Sequence, residues 1–181
     1  MGDDQLLYVI KCSKYYAEWT DRHCGYQTLY DSDTDGLSNL TLNHKVMNKP
    51  HCLFICFAHD HIFGTYSNRK ITTIDPLSDD YEKSKDSKNF AFSLLAPHLE
   101  SPRKYPLLPG KRGSLSLHDM NTPCWFDFGY GASRVYVHKP TSKSFVKQLA
   151  RSYEGLTDED YVGCSFPSGF TCTRIVVLQI N

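Results

Sequence analysis

Residues 29–66, LYDSDTDGLSNLTLNHKVMNKPHCLFICFAHDHIFGTY, contain an acidic turn, a helical pattern and two strand patterns in one uninterrupted order. The turn, Asp31–Gly36, is predicted because Asp and Ser side chains bond nearby backbone N–H groups and Gly tolerates positive φ. Asp35 or Ser38 can cap the helix that follows, and Asn48 and Pro50 end it. From the spacing of the apolar residues, we expect the buried face of this helix to contain Leu37, Leu40, Val46 and Met47.

The second half of this stretch predicts a β-hairpin. Cys52–Phe57 is a short apolar and aromatic run, which is typical of a strand that is buried on both faces. Ala58–His61 is long enough for the hairpin loop, and Ile62–Tyr66 is the return strand. We expect Gly64 to lie where a neighbouring chain or an aromatic ring comes close.

Outside this stretch, the sequence predicts further short strands and a few helices. Asp4–Trp19 has helical spacing, with a strand over Leu6–Ile10 as the alternative. Phe145–Tyr153 is predicted as a short helix, and the Pro-rich segment 96–113 as irregular or an edge connection. The predicted strands are Phe90–Leu95, Leu115–Leu117, Cys124–Phe128, Arg134–His138, Tyr161–Phe166, Phe170–Cys172 and Thr173–Ile180. Because turns join most of them, we expect an antiparallel, mainly β (α+β) domain with helices packed outside.

Several motifs in this order resemble those of the TLDc domain family, the domains of the oxidation-resistance proteins and their relatives. They are the Asp35-Gly36 turn before a helix that carries His44, and then Phe63–Tyr66, Phe90–Leu94, Trp125–Gly129 with Val135–Val137, and Thr173–Gln179. The resemblance covers about Tyr26–Asn181 and implies a two-sheet antiparallel β-sandwich flanked by a few helices. We therefore expect an N-terminal helix and loop over residues 1–25 and a TLDc-like domain over 26–181, together one compact unit. The closing strand has Val176 and Val177 where many relatives carry Glu and Trp.

Composition excludes several classes of protein. The 181 residues are 40% hydrophobic and 13% aromatic, which predicts a globular chain. Twenty basic residues balance twenty acidic ones, so a nucleic-acid partner is not favoured. The first residues, MGDDQ, lack the basic region of a signal peptide, and no apolar run is long enough to span a membrane. We therefore expect a cytoplasmic protein without an integral membrane segment.

The acidic turn is a candidate Ca²⁺ site. Asp31, Asp33 and Asp35 match positions 1, 3 and 5 of an EF-hand loop, and Asn39 matches position 9. The bidentate carboxylate of position 12 is missing, because Leu42 stands there. We therefore expect these carboxylates to cap the next helix and to lack high affinity for Ca²⁺. A Ca²⁺-dependent binding module is kept as an alternative.

The seven cysteines are predicted to be free thiols, since their number is odd, their spacing is irregular and no C-x-x-C occurs. Cys24, beside Arg22 and His23, is the candidate reactive thiol, with Cys12 and Cys164 as alternatives. If two cysteines pair, Cys164 and Cys172 are the first expected. His59 and His61 could bind Zn²⁺ or Cu²⁺, but an exposed hairpin tip explains them better.

No nucleophile elbow, P-loop, dinucleotide fingerprint or H-E-x-x-H motif occurs in the sequence. We therefore expect a non-enzymatic interaction module, with a thiol-based redox or hydrolytic enzyme as the alternative. The TLDc resemblance implies protection against oxidative damage and regulation of the proton-pumping vacuolar ATPase or of trafficking GTPases. The loops 31–35 and 79–86 are the first candidates for a docking surface, since loops carry recognition.

Overall fold

The computed structural model describes residues 2–23, 25–74 and 85–181. Two helices, α1 (Gly2–Lys11) and α2 (Ser13–Thr20), begin the chain. Three short helices follow later, α3 (Ser32–Asp35), α4 (Asn39–Val46) and α5 (Asp158–Val162), with a 3₁₀ turn at Leu149–Arg151. Within these described residues, no helix is long and apolar enough to cross a bilayer.

The strands form two antiparallel sheets. The first sheet has the order β1-β10-β2-β3-β4-β5, and the second has the order β6-β7-β8-β9. The strands are β1 Tyr26–Asp31, β2 Cys52–Ala58, β3 His61–Ser67, β4 Phe90–Leu95, β5 Arg103–Pro106, β6 Ser114–Leu117, β7 Cys124–Tyr130, β8 Ser133–His138, β9 Phe145–Lys147 and β10 Arg174–Ile180. This is the predicted two-sheet sandwich, and the closing strand β10 lies inside the larger sheet.

Two hydrophobic cores cover the two faces of the six-stranded sheet. One core lies between the sheets and includes Phe54, Phe63 and Phe126. The other lies between the outer face of the sheet and α1 and α2, and it includes Tyr16 and Phe92. Because both faces are covered, every residue of β2 and β3 is buried. These cores contain most of the large apolar residues of the strands predicted from the sequence, and the following are all buried: Leu53, Phe54, Ile55, Phe63, Phe90, Phe92, Leu94, Phe126, Phe128, Ile175, Val177 and Leu178.

Four local predictions are wrong. Phe170–Cys172 is not a strand, since Phe170 makes only an isolated bridge with Ser144. Tyr161 and Val162 lie in α5 and not in a strand, because Thr157 caps that helix and three acidic residues fill its first turn. Phe145–Lys147 is a strand, since it pairs with β8, and only the 3₁₀ turn after it is helical. Leu37 and Leu40 are exposed, because the buried face of α4 consists of Asn39, Leu42, Asn43 and Val46.

Candidate functional site

The acidic turn is built around the side chain of Asp31, at the end of β1. Asp31 caps α3, since its Oδ1 accepts a hydrogen bond from the backbone N–H of Asp33 at 3.1 Å. Ser32 is buried, and its Oγ accepts a hydrogen bond from the backbone N–H of Ile175 on β10 at 3.0 Å. The turn is therefore attached to the closing strand through the side-chain hydroxyl of Ser32.

Arg174, the first residue of β10, neutralises two of the three carboxylates. Its Nε donates to Oδ1 of Asp31 at 2.9 Å, and its Nη2 donates to Oδ2 at 2.6 Å. Its Nη1 lies 3.1 Å from Oδ2 of Asp33. The side chains of Asp31 and Arg174 are each only 8% exposed, so this is a buried, two-pronged ion pair.

The third carboxylate has a different cation. Oδ1 of Asp35 accepts a hydrogen bond from Nζ of Lys45 on α4 at 2.6 Å, and Oδ2 accepts one from the backbone N–H of Asp31 at 3.0 Å. The hydrogen bond from Lys45 is the main reason why the pKa of Asp35 lies below its usual range. Asp35 thus joins the turn to α4.

These contacts direct the carboxylates of Asp31, Asp33 and Asp35 towards protein cations. In the described part of the chain, no group of three or more His, Cys, Asp and Glu side chains has an arrangement that could hold a metal ion. The weak or absent affinity of the turn for Ca²⁺ stays a prediction. Sequence reasoning did not predict that Arg174 and Lys45 contact the acidic turn, although Arg174 lies inside a motif that carries the family resemblance.

Exposed apolar side chains lie beside the acidic turn. Leu37 and Leu40, at the start of α4, are 46% and 65% exposed, and Met120 is 68% exposed. The amide of Asn39 donates to the backbone oxygen of Asp119 at 2.7 Å, which brings the loop carrying Met120 against the start of α4. Leu37, Leu40 and Met120 are called the apolar patch below.

The hairpin between β2 and β3 forms the rim of a pocket. Only His59 and Asp60 form its turn, and His61 is a buried strand residue, so the prediction of a wholly exposed tip is wrong for His61. Oδ1 of Asp60 lies 2.7 Å from Nδ1 of His61 and 3.1 Å from Nδ1 of His59. The pocket has a volume of about 470 Å³, and Cys164 and Lys143 also line it.

The pocket is lined by a cysteine, Cys164, and by two histidines, His59 and His61, but the thiol contacts a backbone oxygen. The thiol of Cys164 faces the backbone oxygen of Ser168 at 3.8 Å. Burial raises the pKa of this thiol above its usual value, which opposes a thiolate at neutral pH. Cys164 therefore lacks the activation that a nucleophile requires.

Two other candidates from the sequence lie outside the described residues, one wholly and one in part. Cys24, the predicted reactive thiol, lies wholly outside them, and the predicted docking loop 79–86 lies outside them over residues 79–84. Asp86, the last residue of that loop, is buried and accepts hydrogen bonds from the backbone N–H groups of Asn68 and Lys88. Cys12, Cys52, Cys56, Cys124, Cys164 and Cys172 are all free thiols in the structure.

The sandwich and its helical layer were compared with known families. The sequence model of the TLDc domain matches residues 5–117, which is more than half of the chain. The chain belongs to the TLDc domain family. The match covers the elements from α1 to β6 and includes the acidic turn and the predicted family motifs as far as β4. A search of curated proteins found no match.

Proposed function

We propose that this TLDc domain is a non-enzymatic regulatory module of the cytoplasm that binds a protein partner through the apolar patch and the acidic turn. The observation that carries the proposal is the exposure of three large apolar side chains beside a charged turn that is fixed by buried contacts. Exposed apolar groups with a polar rim are characteristic of protein-binding surfaces.

The rigidity of the turn supports this proposal. Arg174 holds Asp31 from β10, and Lys45 holds Asp35 from α4, so the turn needs little reordering on binding. Association is more favourable when fewer side chains and loops must be immobilised. Asp33 has a side chain that is 49% exposed, and it offers a negative charge at the rim of the surface.

The partner class follows from the family resemblance. That resemblance implies the proton-pumping vacuolar ATPase or a trafficking GTPase as the partner, and protection against oxidative stress as the outcome. A neutral net charge is compatible with a protein partner and does not favour nucleic acid.

Direct binding to purified vacuolar ATPase and to purified trafficking GTPases tests the partner class. We expect one of them to bind the wild-type domain with micromolar or tighter affinity, whether Ca²⁺ or a chelator is present. Leu37→Asp/Leu40→Asp should weaken that binding, and Asp33→Asn should change mainly its salt dependence. Absence of binding to every one of these partners would contradict the assignment.

A thiol-based or hydrolytic enzyme is the second candidate, because one pocket contains Cys164, His59 and His61. The raised pKa of Cys164 and the contact of its thiol with the backbone oxygen of Ser168 weigh against it. Hydrolysis of a panel of ester and peptide substrates, lost in Cys164→Ser, would favour the enzyme over the docking module.

A further inference from the structure

The pocket beside the β2–β3 hairpin is bounded by four segments that are distant in sequence. They are the hairpin turn with His61, the end of α5 with Gly163 and Cys164, the loop before β9 with Lys143, and residues 169–173 before β10. The volume of about 470 Å³ lies in the range of cavities that hold small organic molecules. The residues of the apolar patch do not line this pocket, so a ligand here would be separate from the docking surface.

Apolar and polar side chains both line the pocket. Ala58, Val162 and Phe170 contribute apolar surface, and the ring of Phe170 packs edge-on against Phe63 of the core, with ring centroids 5.5 Å apart. Polar groups from different segments converge among these side chains. This combination is the usual composition of a small-molecule site.

His61 brings a buried imidazole to the pocket. Its side chain is only 8% exposed, because β3 is covered on both faces. Nδ1 of His61 lies 2.7 Å from Oδ1 of Asp60, and a carboxylate accepts hydrogen bonds, so Nδ1 carries a hydrogen atom. In the neutral ring this tautomer leaves Nε2 as a hydrogen-bond acceptor, which matches a hydroxyl group of a ligand.

A glycine leaves space beside that edge of the imidazole. Gly163 ends α5 with a φ of 78°, and a Cβ atom there would lie 3.0 Å from Cε1 and 3.6 Å from Nε2 of His61. A side chain at this position would therefore lie against the ring edge that carries Nε2. Because the residue is glycine, a ligand atom can take this place.

Lys143 brings a positive charge to the same pocket. Its Nζ donates to Oγ1 of Thr171 at 3.2 Å, which is a neutral partner and occupies one of its three hydrogen atoms. The backbone beside it is fixed, since Ser144 and Phe170 exchange two hydrogen bonds of 2.9 Å. Gly169 permits this close approach, because a Cβ atom there would lie 2.7 Å from the backbone oxygen of Ser144.

The charges of the lining decide where each end of a ligand belongs. Asp60 supplies a carboxylate, and its Oδ1 lies 3.1 Å from Nδ1 of His59 and 2.7 Å from Nδ1 of His61. This carboxylate repels a second anion at the hairpin, whereas the ammonium group of Lys143 attracts one. The anionic group of a ligand therefore belongs at Lys143, and its hydrogen-bond donor belongs at His61.

We propose that this pocket binds a small hydroxycarboxylic acid. The carboxylate pairs with Nζ of Lys143, and the hydroxyl group donates a hydrogen bond to Nε2 of His61. The short hydrocarbon chain between them packs against Ala58 and Phe170. Sequence reasoning considered His61 only as a metal ligand or a hairpin residue, because Lys143 and Gly163 come from elements that are distant in sequence.

Titration of the full chain with three hydroxy acids tests the ligand class. The probes are lactate, 3-hydroxybutyrate and 4-hydroxybutyrate, which place the hydroxyl group at increasing distances from the carboxylate. Propionate and butyrate are the matched acids without a hydroxyl group. Nitrogen-15 NMR of the histidine side chains follows the binding. We expect at least one hydroxy acid to saturate with millimolar affinity and to shift the Nε2 signal of His61. The acid of equal chain length without the hydroxyl group should bind about fivefold more weakly, as expected for the loss of one hydrogen bond.

A charge variant tests the anionic end of the site. Lys143→Met should weaken binding of the hydroxy acid about tenfold, since it removes a charged hydrogen-bond donor. Lys139→Met is the matched control, because Lys139 lies in the same loop between β8 and β9 but does not line the pocket. It should change the affinity by less than about twofold. Equal weakening by the two variants would show a general effect of charge and would contradict the assigned role of Lys143.

A glycine variant tests the space beside His61. Asn tolerates positive φ, so Gly163→Asn can keep the end of α5 while its side chain covers the ring edge. We expect it to weaken binding at least about tenfold. Gly131→Asn is the matched control, with a φ of 55° and nothing within 4 Å of a Cβ atom, and it should bind like the wild-type chain. The melting temperature shows that each variant is folded.

Three results would overturn the proposal. The first is that none of the three hydroxy acids shifts the His61 signals of the wild-type chain. The second is equal affinity for the hydroxy acids and for the acids without a hydroxyl group. The third is unchanged binding in folded Gly163→Asn, which would locate the ligand away from the His61 ring edge.

Discussion

Gly64 occupies a point in the six-stranded sheet that has no room for a side chain. A Cβ atom at this position would lie 2.0 Å from the backbone oxygen of Phe54 and 2.7 Å from Cζ of Phe92. The expected close approach is therefore confirmed on both sides, by a chain and by an aromatic ring. The backbone oxygen of Gly64 also accepts a hydrogen bond from the hydroxyl of Tyr161 at 2.5 Å, which joins the sheet to α5.

Gly64→Val should lower the free energy of unfolding by about 3 kcal/mol or more, since neither backbone nor ring can move aside without disrupting the sheet. Gly110→Val is the control, because nothing lies within 4 Å of a Cβ there and only its φ of 75° opposes a side chain. The control should lose about 1–2 kcal/mol. Urea unfolding measures both, and equal losses would remove the proposed role of Gly64.

Arg174 and Lys45 contact the same turn at different depths. Arg174→Met leaves the carboxylate of Asp31 buried without its guanidinium, so we expect a loss of about 3–5 kcal/mol of stability. Lys45→Met removes a partner whose side chain is 38% exposed, and its loss should stay below about 1 kcal/mol. If urea unfolding gave the two variants similar stabilities, the burial of the Asp31–Arg174 pair would not govern the turn.

The acidic turn resembles an EF-hand loop in sequence, and its affinity for Ca²⁺ can be measured directly. Asp31 and Asp35 already accept hydrogen bonds from Arg174, Lys45 and backbone groups, so a cation would have to displace them. We expect calorimetric titration with Ca²⁺ to show millimolar or no binding, and the melting temperature to be the same with and without chelator. Micromolar binding, or a Ca²⁺-dependent rise in melting temperature that Asp33→Asn abolishes, would favour the Ca²⁺-dependent module.

The free energy of unfolding should depend on pH through His118, which follows β6 and pairs with Asp127 on β7. Its pKa is raised from an unfolded value of about 6.5 to about 10, so the folded state binds the proton more tightly. This stabilisation is complete below about pH 6.5 and is lost as the pH rises through about 10. Between pH 7 and 10 the wild-type chain should lose about 3 kcal/mol more than His118→Gln. Parallel stability curves for the two chains would contradict the raised pKa.

At the scale of elements, the sequence predicted the strands that have strong local patterns. β2, β4 and β10 are nearly continuous apolar runs. Such runs can be recognised as strands from the local sequence, without knowing which strands lie beside them. β9 and α5 could not be predicted in the same way. Phe145–Lys147 is a strand only because β8 offers a partner, and Tyr161 combines strand propensity with a place in a capped helix.

The candidate site was predicted only in part, for a related reason. The acidic residues were visible as a local cluster, but their cations come from positions 45 and 174, and sequence spacing carries no signal of such long-range pairs. The exposure of Leu37 and Leu40 was also missed, since the buried face of α4 contains the polar Asn39 and Asn43. These amides hold the loop before β7, a role that a hydrophobic periodicity cannot show.

In the molecule as a whole, a helical layer and two sheets bury the apolar side chains in two cores, and the apolar patch remains outside both. The patch lies beside β1 at one edge of the six-stranded sheet, and exposed Leu95 lies on β4, with three strands between β1 and β4. This separation supplies a matched control for the docking proposal, because Leu95→Asp adds the same charge far from the patch.

Quantitative affinity capture from cell lysate with three baits tests the docking surface most directly. The baits are the wild-type chain, Leu37→Asp/Leu40→Asp and Leu95→Asp, each shown to be folded by its melting temperature. We predict that the proteins enriched by the wild-type chain are recovered equally with Leu95→Asp and fall about tenfold with Leu37→Asp/Leu40→Asp. Equal recovery with all three baits, or no protein enriched by the wild-type chain, would contradict a docking role for the apolar patch.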